Sequence, residues 1–230
     1  MQFIDNFPLK EATTLKIGGP ARQFVKATTQ GELLQVIQHA SQTRIPYQVI
    51  GGGSNLLVSD EGVNKLIIKN EVEGITKVVR VLKVKSGTIL QNLVDYSIAQ
   101  NLSGLQKLTG IPGTVGGAVF GNAGAYGQTI SDYIRDVIVI DPSAAFETNG
   151  IVTLQNDECE FNYRDSVFKR KDLIILEIIF RLELGESKKL RKEADEVLEK
   201  RLVKYPKGIK CPGSFFKNLV ADELPEEILE

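Results

Sequence analysis

Histidine is almost absent from this chain: His39 is the only one in 230 residues. A catalytic triad built on imidazole would have to use it, and so would a histidine-rich zinc site. It sits among Leu33, Leu34, Val36, Ile37 and Ala40, between helix faces, and reads as a boundary or surface residue. Cysteine is nearly as scarce. Cys159 and Cys211 are too far apart for a paired metal or redox motif, and neither a disulfide nor a bound metal is expected. An excess of charge of one sign is also missing. The 28 basic and 29 acidic side chains leave a net charge of −1, so the footprint of a nucleic-acid binder is not there. No apolar stretch is long enough to cross a bilayer. Met1 to Lys10 is mixed and lacks the apolar core of a signal peptide. The expectation is a cytoplasmic protein with no membrane or nucleic-acid partner. Internal repeats and low-complexity tracts are absent as well.

What is present is an ordinary globular composition, 42% hydrophobic and 25% charged, with room for one or two domains. Gln23 to Ala27 reads as a strand. Thr29-Gln30-Gly31-Glu32 is a capping-box pattern opening a helix to about Thr43. After Pro46, Tyr47 to Ile50 reads as a buried strand, and Lys65 to Lys69 as another. Val78 to Val84 is rich in β-branched residues and predicts one strand. Thr88-Ile89-Leu90-Gln91 reads as a second capping box, with Leu90, Leu93, Val94 and Ile98 on the inner face of its helix. Strands are expected at Asp136–Ile140, Ala145–Thr148 and Leu173–Leu184. A charged amphipathic helix follows over Ser187–Lys204, with Leu190, Ala194, Val197, Leu198 and Leu202 inward. Interleaved strands and helices favour α+β.

Two glycine-rich loops stand out. The first is Gly51-Gly52-Gly53-Ser54-Asn55, directly after an apolar run. Glycines lack Cβ atoms, so successive N–H groups can turn toward a phosphate. They also serve tight turns, and this loop matches neither the dinucleotide fingerprint nor the phosphate-binding P-loop. The second loop, Gly110-Ile111-Pro112-Gly113-Thr114-Val115-Gly116-Gly117, opens a stretch to Gly127 that holds seven glycines and apolar Ile111, Val115 and Val119. Those apolar residues suit a backbone wall packed against a flat ring system. Two such loops suggest a large, phosphate-bearing cofactor.

Two further segments carry reactive groups. Tyr163-Arg164-Asp165-Ser166 is either a salt-bridged turn or an arginine presented to an anion; taken alone, the turn is the simpler reading. Gly213-Ser214-Phe215-Phe216-Lys217-Asn218 places a hydroxyl, a cation and an amide within five residues. Ser214 has no histidine and no nucleophile elbow beside it. A hydroxyl that gives its proton to a carbanion is chemically reasonable, with Lys217 and Arg164 holding developing negative charge and Asn218 donating to a phosphate. The alternative is a turn anchored in the core by its phenylalanine pair.

Taken in order, six segments resemble the UDP-N-acetylenolpyruvoylglucosamine reductase family, also called UDP-N-acetylmuramate dehydrogenases. They are Thr14 to Ala21, Gly51 to Val58, Gly110 to Ala118, Asn122-Ala123-Gly124-Ala125-Tyr126-Gly127, Phe161 to Ser166 and Gly213 to Asn218. The short spacing between Arg164 and Ser214 looks like the shorter of the family's two forms. The resemblance implies an α+β, two-subdomain FAD-binding fold of the vanillyl-alcohol oxidase (PCMH) type. Its subdomains would run over 1–66 and 67–185, with the start of a substrate-binding domain over 186–230. It implies that FAD is held by Gly51, Gly52, Gly53, Ser54, Asn55, Leu56, Gly110, Ile111, Pro112, Gly113, Gly116, Gly117, Asn122, Ala123 and Gly124. Tyr126, Tyr163, Arg164, Lys217 and Asn218 would face a UDP-sugar, with Arg164 and Ser214 catalytic. NADPH would be the hydride donor, and the product would be UDP-N-acetylmuramate, a peptidoglycan precursor.

One departure accompanies the resemblance. The sequence stops twelve residues after Asn218, so most of the family's substrate domain, with its late catalytic glutamate, is expected to be lacking. A non-catalytic FAD-binding module of the same family, or a flavin oxidase of the wider superfamily, is the alternative reading. No oligomeric state is implied.

Overall fold

Two sheets organise the molecule, and their junction brings the glycine-rich loops together. The computed structural model describes residues 1–142, 150–206, 208–213 and 218. The expected strand at Ala145–Thr148, together with Ser214 and Lys217, lies outside the described residues.

The first sheet has strand order β1-β2-β4-β3, with β1 Ile4–Pro8, β2 Pro20–Ala27, β3 Tyr47–Ile50 and β4 Val63–Asn70. β2 and β3 both pair parallel to β4, and β1 pairs antiparallel to β2. Helix α1, Gln30–Gln42, makes the crossover between β2 and β3. It starts as the sequence predicts: Thr29 accepts from the Glu32 N–H at 3.2 Å, and the Glu32 carboxylate accepts from the Thr29 N–H at 3.2 Å. Its buried face is Leu33, Val36, Ile37 and Ala40, packed on Val25, Ala27, Leu66 and Ile68. Burying each large aliphatic there contributes about 2 kcal/mol. His39 lies on the opposite, exposed side, its ring 5.8 Å from that of Phe3. The strand β3 is at the sheet edge, so it is only half-buried rather than buried as expected.

The second sheet is antiparallel throughout, in the order β11-β10-β12-β6-β5. Its strands are β5 Ile75–Val78, β6 Val81–Lys85, β10 Ile134–Ile140, β11 Ile151–Gln155 and β12 Ile174–Arg181. The single strand expected over Val78–Val84 is a hairpin instead. Val79 turns the chain with a φ of 55°, an uncommon conformation for a β-branched residue. Likewise the long strand expected over Leu173–Leu184 is interrupted at Leu182, and β13, Glu183–Leu184, pairs with β7, Leu102–Ser103. β11 is an element that the sequence reading missed.

Helices α2 (Leu90–Ala99), α3 (Val115–Phe120) and α4 (Ser187–Lys204) complete the second unit. The Thr88 capping box does not form. Thr88 Oγ1 accepts from the Gly74 N–H at 3.0 Å, so its side chain is committed across the sheet and α2 starts without a side-chain cap. The inner face of α2 is as predicted, with Ser97 added. On α4, Leu190, Ala194 and Val197 are buried, but Leu198 is 36% exposed. The expected boundary between residues 66 and 67 falls within β4. Ile140, Ile174 and Leu176 of the second sheet share a core cluster with α1 and the first sheet. That shared cluster fixes the angle between the sheets and therefore the spacing of the two loops they carry.

Candidate active site

The first glycine loop connects β3 to β4, and the second leads from α2 into α3. They touch. Ser54 Oγ donates to the Pro112 carbonyl at 3.0 Å, across 58 residues of sequence. A Cβ on Gly52 would lie 3.1 Å from the Gly113 Cα, and one on Gly53 would lie 1.9 Å from the Ala12 carbonyl oxygen. The loops therefore need glycine first for their own close approach, backbone on backbone. Close packing is thus a further demand for glycine here, beside the turn and the approach to a phosphate weighed from the sequence.

Its chemistry lies in what remains unspent. Among the described residues, the N–H groups of Gly52, Gly53, Ser54 and Asn55 have no hydrogen-bond acceptor. A run of unpaired N–H groups is a seat for an anion. An open pocket of about 470 Å³ borders Gly52 and is lined by Thr13, Thr14, Lys16, Lys69 and Lys210 among others. Lys16 and Lys210 bring positive charge there, Lys69 is paired with Glu71 at 2.8 Å, and Glu11 also borders the pocket. Leu56 packs against the core of the first sheet and holds the end of the loop. In the second loop, Thr114 caps α3 by accepting from the Gly117 N–H at 3.3 Å, Gly116 donates to the Ser86 carbonyl, and Gly110 donates to Gln91 Oε1 at 2.8 Å. The half-buried Ile111 packs against the large core cluster. The helix α3 carries no local signature beyond Thr114 and was missed in the sequence.

After α3, the segment from Asn122 to Gly127 forms a small hairpin of β8, Gly124–Ala125, and β9, Gln128–Thr129. Asn122 is 4% exposed and adopts a φ of 42°. Its Nδ2 donates to the Asn162 carbonyl at 2.9 Å, whereas its Oδ1 is buried with no partner among the described residues. A buried acceptor left unpaired is costly. Ala123 packs against the core cluster, and its carbonyl accepts from the Ile130 N–H. Tyr126 at the hairpin tip is 46% exposed.

Arg164 joins this hairpin and not its neighbour in sequence. Its Nη2 donates to the Gly124 carbonyl at 2.8 Å, and Nη1 to the Asn122 carbonyl at 3.5 Å. The salt-bridged turn considered from sequence does exist, but its cation is Arg170, which pairs with both Asp165 and Glu160. Desolvation opposes the charge on Asp165. The Ser166 N–H and the Arg170 guanidinium outweigh it and hold the carboxyl below its ordinary range. Arg164 is thus anchored by neutral carbonyls, and no carboxylate pairs with it among the described residues. The Tyr163 ring lies under the guanidinium at 5.6 Å.

Asn218 reaches the same place. The Asn218 N–H donates to Tyr163 Oη at 3.3 Å. So the structure brings together the Asn122–Gly127 hairpin, Tyr163 and Arg164, and Asn218. One buried polar residue in this neighbourhood escaped the sequence reading: Gln128, whose Nε2 donates to the Gly104 carbonyl. Its partner lies 24 residues away, and no local pattern marks it.

Comparison with known proteins identifies the family and the fold. A family model described as an FAD binding domain matches residues 21–147. The chain is 38% identical over 222 residues to the UDP-N-acetylenolpyruvoylglucosamine reductase of Solibacter usitatus, covering 96% of this chain and 69% of that protein. It is 35% identical over 218 residues to the reductase of the same name from Caldanaerobacter subterraneus, covering 92% and 69%. The crystal structure of the Thermus caldophilus reductase superposes with a TM-score of 0.77 at 33% identity, over 95% of this chain and 74% of that one. Cholesterol oxidase from Brevibacterium sterolicum shares the fold at 12% identity, with a TM-score of 0.58 over 80% of this chain and 38% of that one.

Proposed function

The chain belongs to the UDP-N-acetylenolpyruvoylglucosamine reductase family, and from that membership we propose how its own residues carry out the reaction. The family reading is an FAD-dependent oxidoreductase that reduces UDP-N-acetylglucosamine enolpyruvate to UDP-N-acetylmuramate, with NADPH as the electron source. The observation that carries the site assignment is the convergence on Arg164: the Asn122–Gly127 hairpin beneath it, Tyr163 beside it, and Asn218 on Tyr163.

The residues present fit a flavin dinucleotide. The unspent N–H groups of Gly52 to Asn55 suit its diphosphate, and the orphan Oδ1 of Asn122 suits a ring N–H. The apolar wall of Ile111 and Ala123 suits an aromatic ring. Hydride transfer is the chemistry that bound FAD supplies.

The rest falls to the protein. Reduction of the enolpyruvyl double bond places negative charge on the carbon next to the carboxylate. The Arg164 guanidinium has donors left after its two carbonyl bonds, and they hold the substrate carboxylate and the enolate charge that develops through it. Fixed by Asn122 and Gly124, the fork needs little reorganisation as charge builds. Ser214 Oγ holds the proton that quenches the α-carbon, and Lys217 and Asn218 bind the diphosphate of the UDP-sugar. Tyr126 and Tyr163, both half-exposed, flank the opening where the sugar enters. The product feeds peptidoglycan synthesis, so the activity serves cell-wall biogenesis, cell shape and cell division, in the cytoplasm. No helix among the described residues is long and apolar enough to cross a membrane.

The test is direct. Purified protein should be yellow, and its turnover of NADPH should rise with the UDP-enolpyruvyl sugar. Colourless protein that takes up no FAD, or oxygen-driven turnover without the sugar, refutes the reading.

A further inference from the structure

We propose that Gln128 is a positioning residue for Arg164, the middle of a hydrogen-bonded line that runs from helix α4 to the guanidinium. The inference rests on the reading of Arg164 given above. The line begins at Glu193 on α4, whose carboxylate accepts from Gln106 Nε2 at 3.0 Å. Gln106 Oε1 accepts from the Gly104 N–H at 2.8 Å. The Gly104 carbonyl accepts from Gln128 Nε2. Gln128 pairs with Ala125 in the β8–β9 hairpin, and the Gly124 and Asn122 carbonyls of that segment hold Arg164.

Two physical points separate this from ordinary core packing. First, the hairpin has only two residue pairs. Its turn residues, Tyr126 and Gly127, have φ values of 54° and 75°. A ribbon that short does not hold itself in place. The Asn122 end is held by its own N–H to Val119, by the Ala123 N–H to Ala118 and by Asn122 Nδ2 to the Asn162 carbonyl, and the Ile130 N–H bonds back to Ala123; β9 is tied to the Gly104 segment by the Gln128 bond. If the Gln128 bond is released, the Gly124 carbonyl, which makes the shorter bond to Arg164, loses its support from that side, while Asn122 stays anchored. Second, the amide of Gln128 is expensive where it sits. The residue is 9% exposed, and its Oε1 has no partner among the described residues. An aliphatic side chain of similar volume would avoid that unpaired acceptor. The amide therefore does what an aliphatic cannot, which is to donate to Gly104.

The consequence is a mechanical link. Gln106 is also buried, so the line is shielded from water over most of its length. A change in the seating of α4 is transmitted to the aim of the guanidinium and alters the sugar-reducing half of the reaction.

Amide hydrogen exchange and single-turnover kinetics test this together. In Gln128→Leu, exchange over residues 122–129 and 162–165 should rise about tenfold while β10 and β12 keep their protection. Glu193→Ala should raise exchange over the same hairpin to a smaller extent. Because Asn122 to Gly124 also border the flavin, its reduction by NADPH should slow in Gln128→Leu by less than about twofold. Reoxidation by the UDP-enolpyruvyl sugar should slow about tenfold, and combining it with Arg164→Met should add almost nothing further. Gln128→Met, which keeps the length and removes the donor, serves if the leucine variant folds poorly. Unchanged hairpin exchange, an equal rise throughout the sheet, or a fully additive loss with Arg164→Met overturns the proposal. If Arg164→Met alone reoxidises at the wild-type rate, the reading of Arg164 fails, and the exchange data still decide whether the line exists.

Discussion

The Arg164 Nη2 donates to the Gly124 carbonyl at 2.8 Å, although Asp165 is its immediate neighbour in sequence. Arg164 has a φ of 54°, which turns its side chain out of the Asn162–Asp165 turn and onto the hairpin. Holding a non-glycine residue in that conformation costs about 1–3 kcal/mol. The surrounding bonds, from Asn122 Nδ2 to the Asn162 carbonyl, from Ser166 to the Phe120 carbonyl and from Lys169 to the Arg164 carbonyl, impose it. What results is a guanidinium on a neutral anchor, available to an incoming carboxylate.

Arg164→Lys keeps the charge and loses the fork that spans two carbonyls. The rate of sugar reduction should fall by about 10²–10³-fold, with flavin affinity unaltered. Stopped-flow reoxidation measures it. An unaltered rate removes Arg164 from the chemistry.

Gly53→Ala should weaken both the fold and flavin binding. Its Cβ would collide with the Ala12 carbonyl, and the backbone has a φ of 67°. The expected loss exceeds about 1 kcal/mol in urea unfolding. Gly31→Ala is the contrast. It lies in α1 with open space around it, so the same substitution should stabilise by about 0.5–1 kcal/mol.

Cys159 should resist thiol reagents in the native protein. Burial, reinforced by the charges of Glu158, Asp157 and Asp136, pushes its thiol up to about 12. Cys211 is partly exposed. Titration with a chromogenic disulfide at pH 8 should label Cys211 quickly and Cys159 only on unfolding. Two fast equivalents would contradict this.

Acid should loosen the Asn162–Ser166 turn only below about pH 4. The carboxyl of Asp165 is held below its usual range, and so is that of Glu71, where burial opposes ionisation but the Lys69 hydrogen bond and the Lys69 and Lys26 charges prevail. Groups depressed in the folded state stabilise fully above their unfolded pKa of about 4. That stabilisation is lost as pH falls through their folded values. Melting temperatures between pH 7 and 3 should drop less steeply in Asp165→Asn and Glu71→Gln than in wild type. Parallel curves would show that the two groups are not linked to folding.

Much of the local structure was legible. Thr29 and Glu32 announced α1, and the charge pattern of Ser187 to Lys204 marked α4 at both ends. These signals act within a turn or two of chain, so a sequence displays them. Thr88 shows the limit. Its pattern matched a cap, yet Gly74 takes its hydroxyl once β5 and β6 pair. Val79 likewise reads as strand until the hairpin needs a turn there.

By itself the sequence determined that two stretches of backbone would be bare of side chains, that an arginine would follow a tyrosine between two phenylalanines, and that the one histidine, His39, would fall outside the buried face of its helix. Only the tertiary structure decided what the bare stretches face, which cation Asp165 keeps, and that Gln128 supports the hairpin beneath Arg164. The physical reason is range. Capping and periodicity are energies between residues a few positions apart. The contacts of Ser54 with Pro112, Arg164 with Gly124 and Gln106 with Glu193 join residues 58, 40 and 87 positions apart. They form only where sheet register and the shared core hold their elements in place.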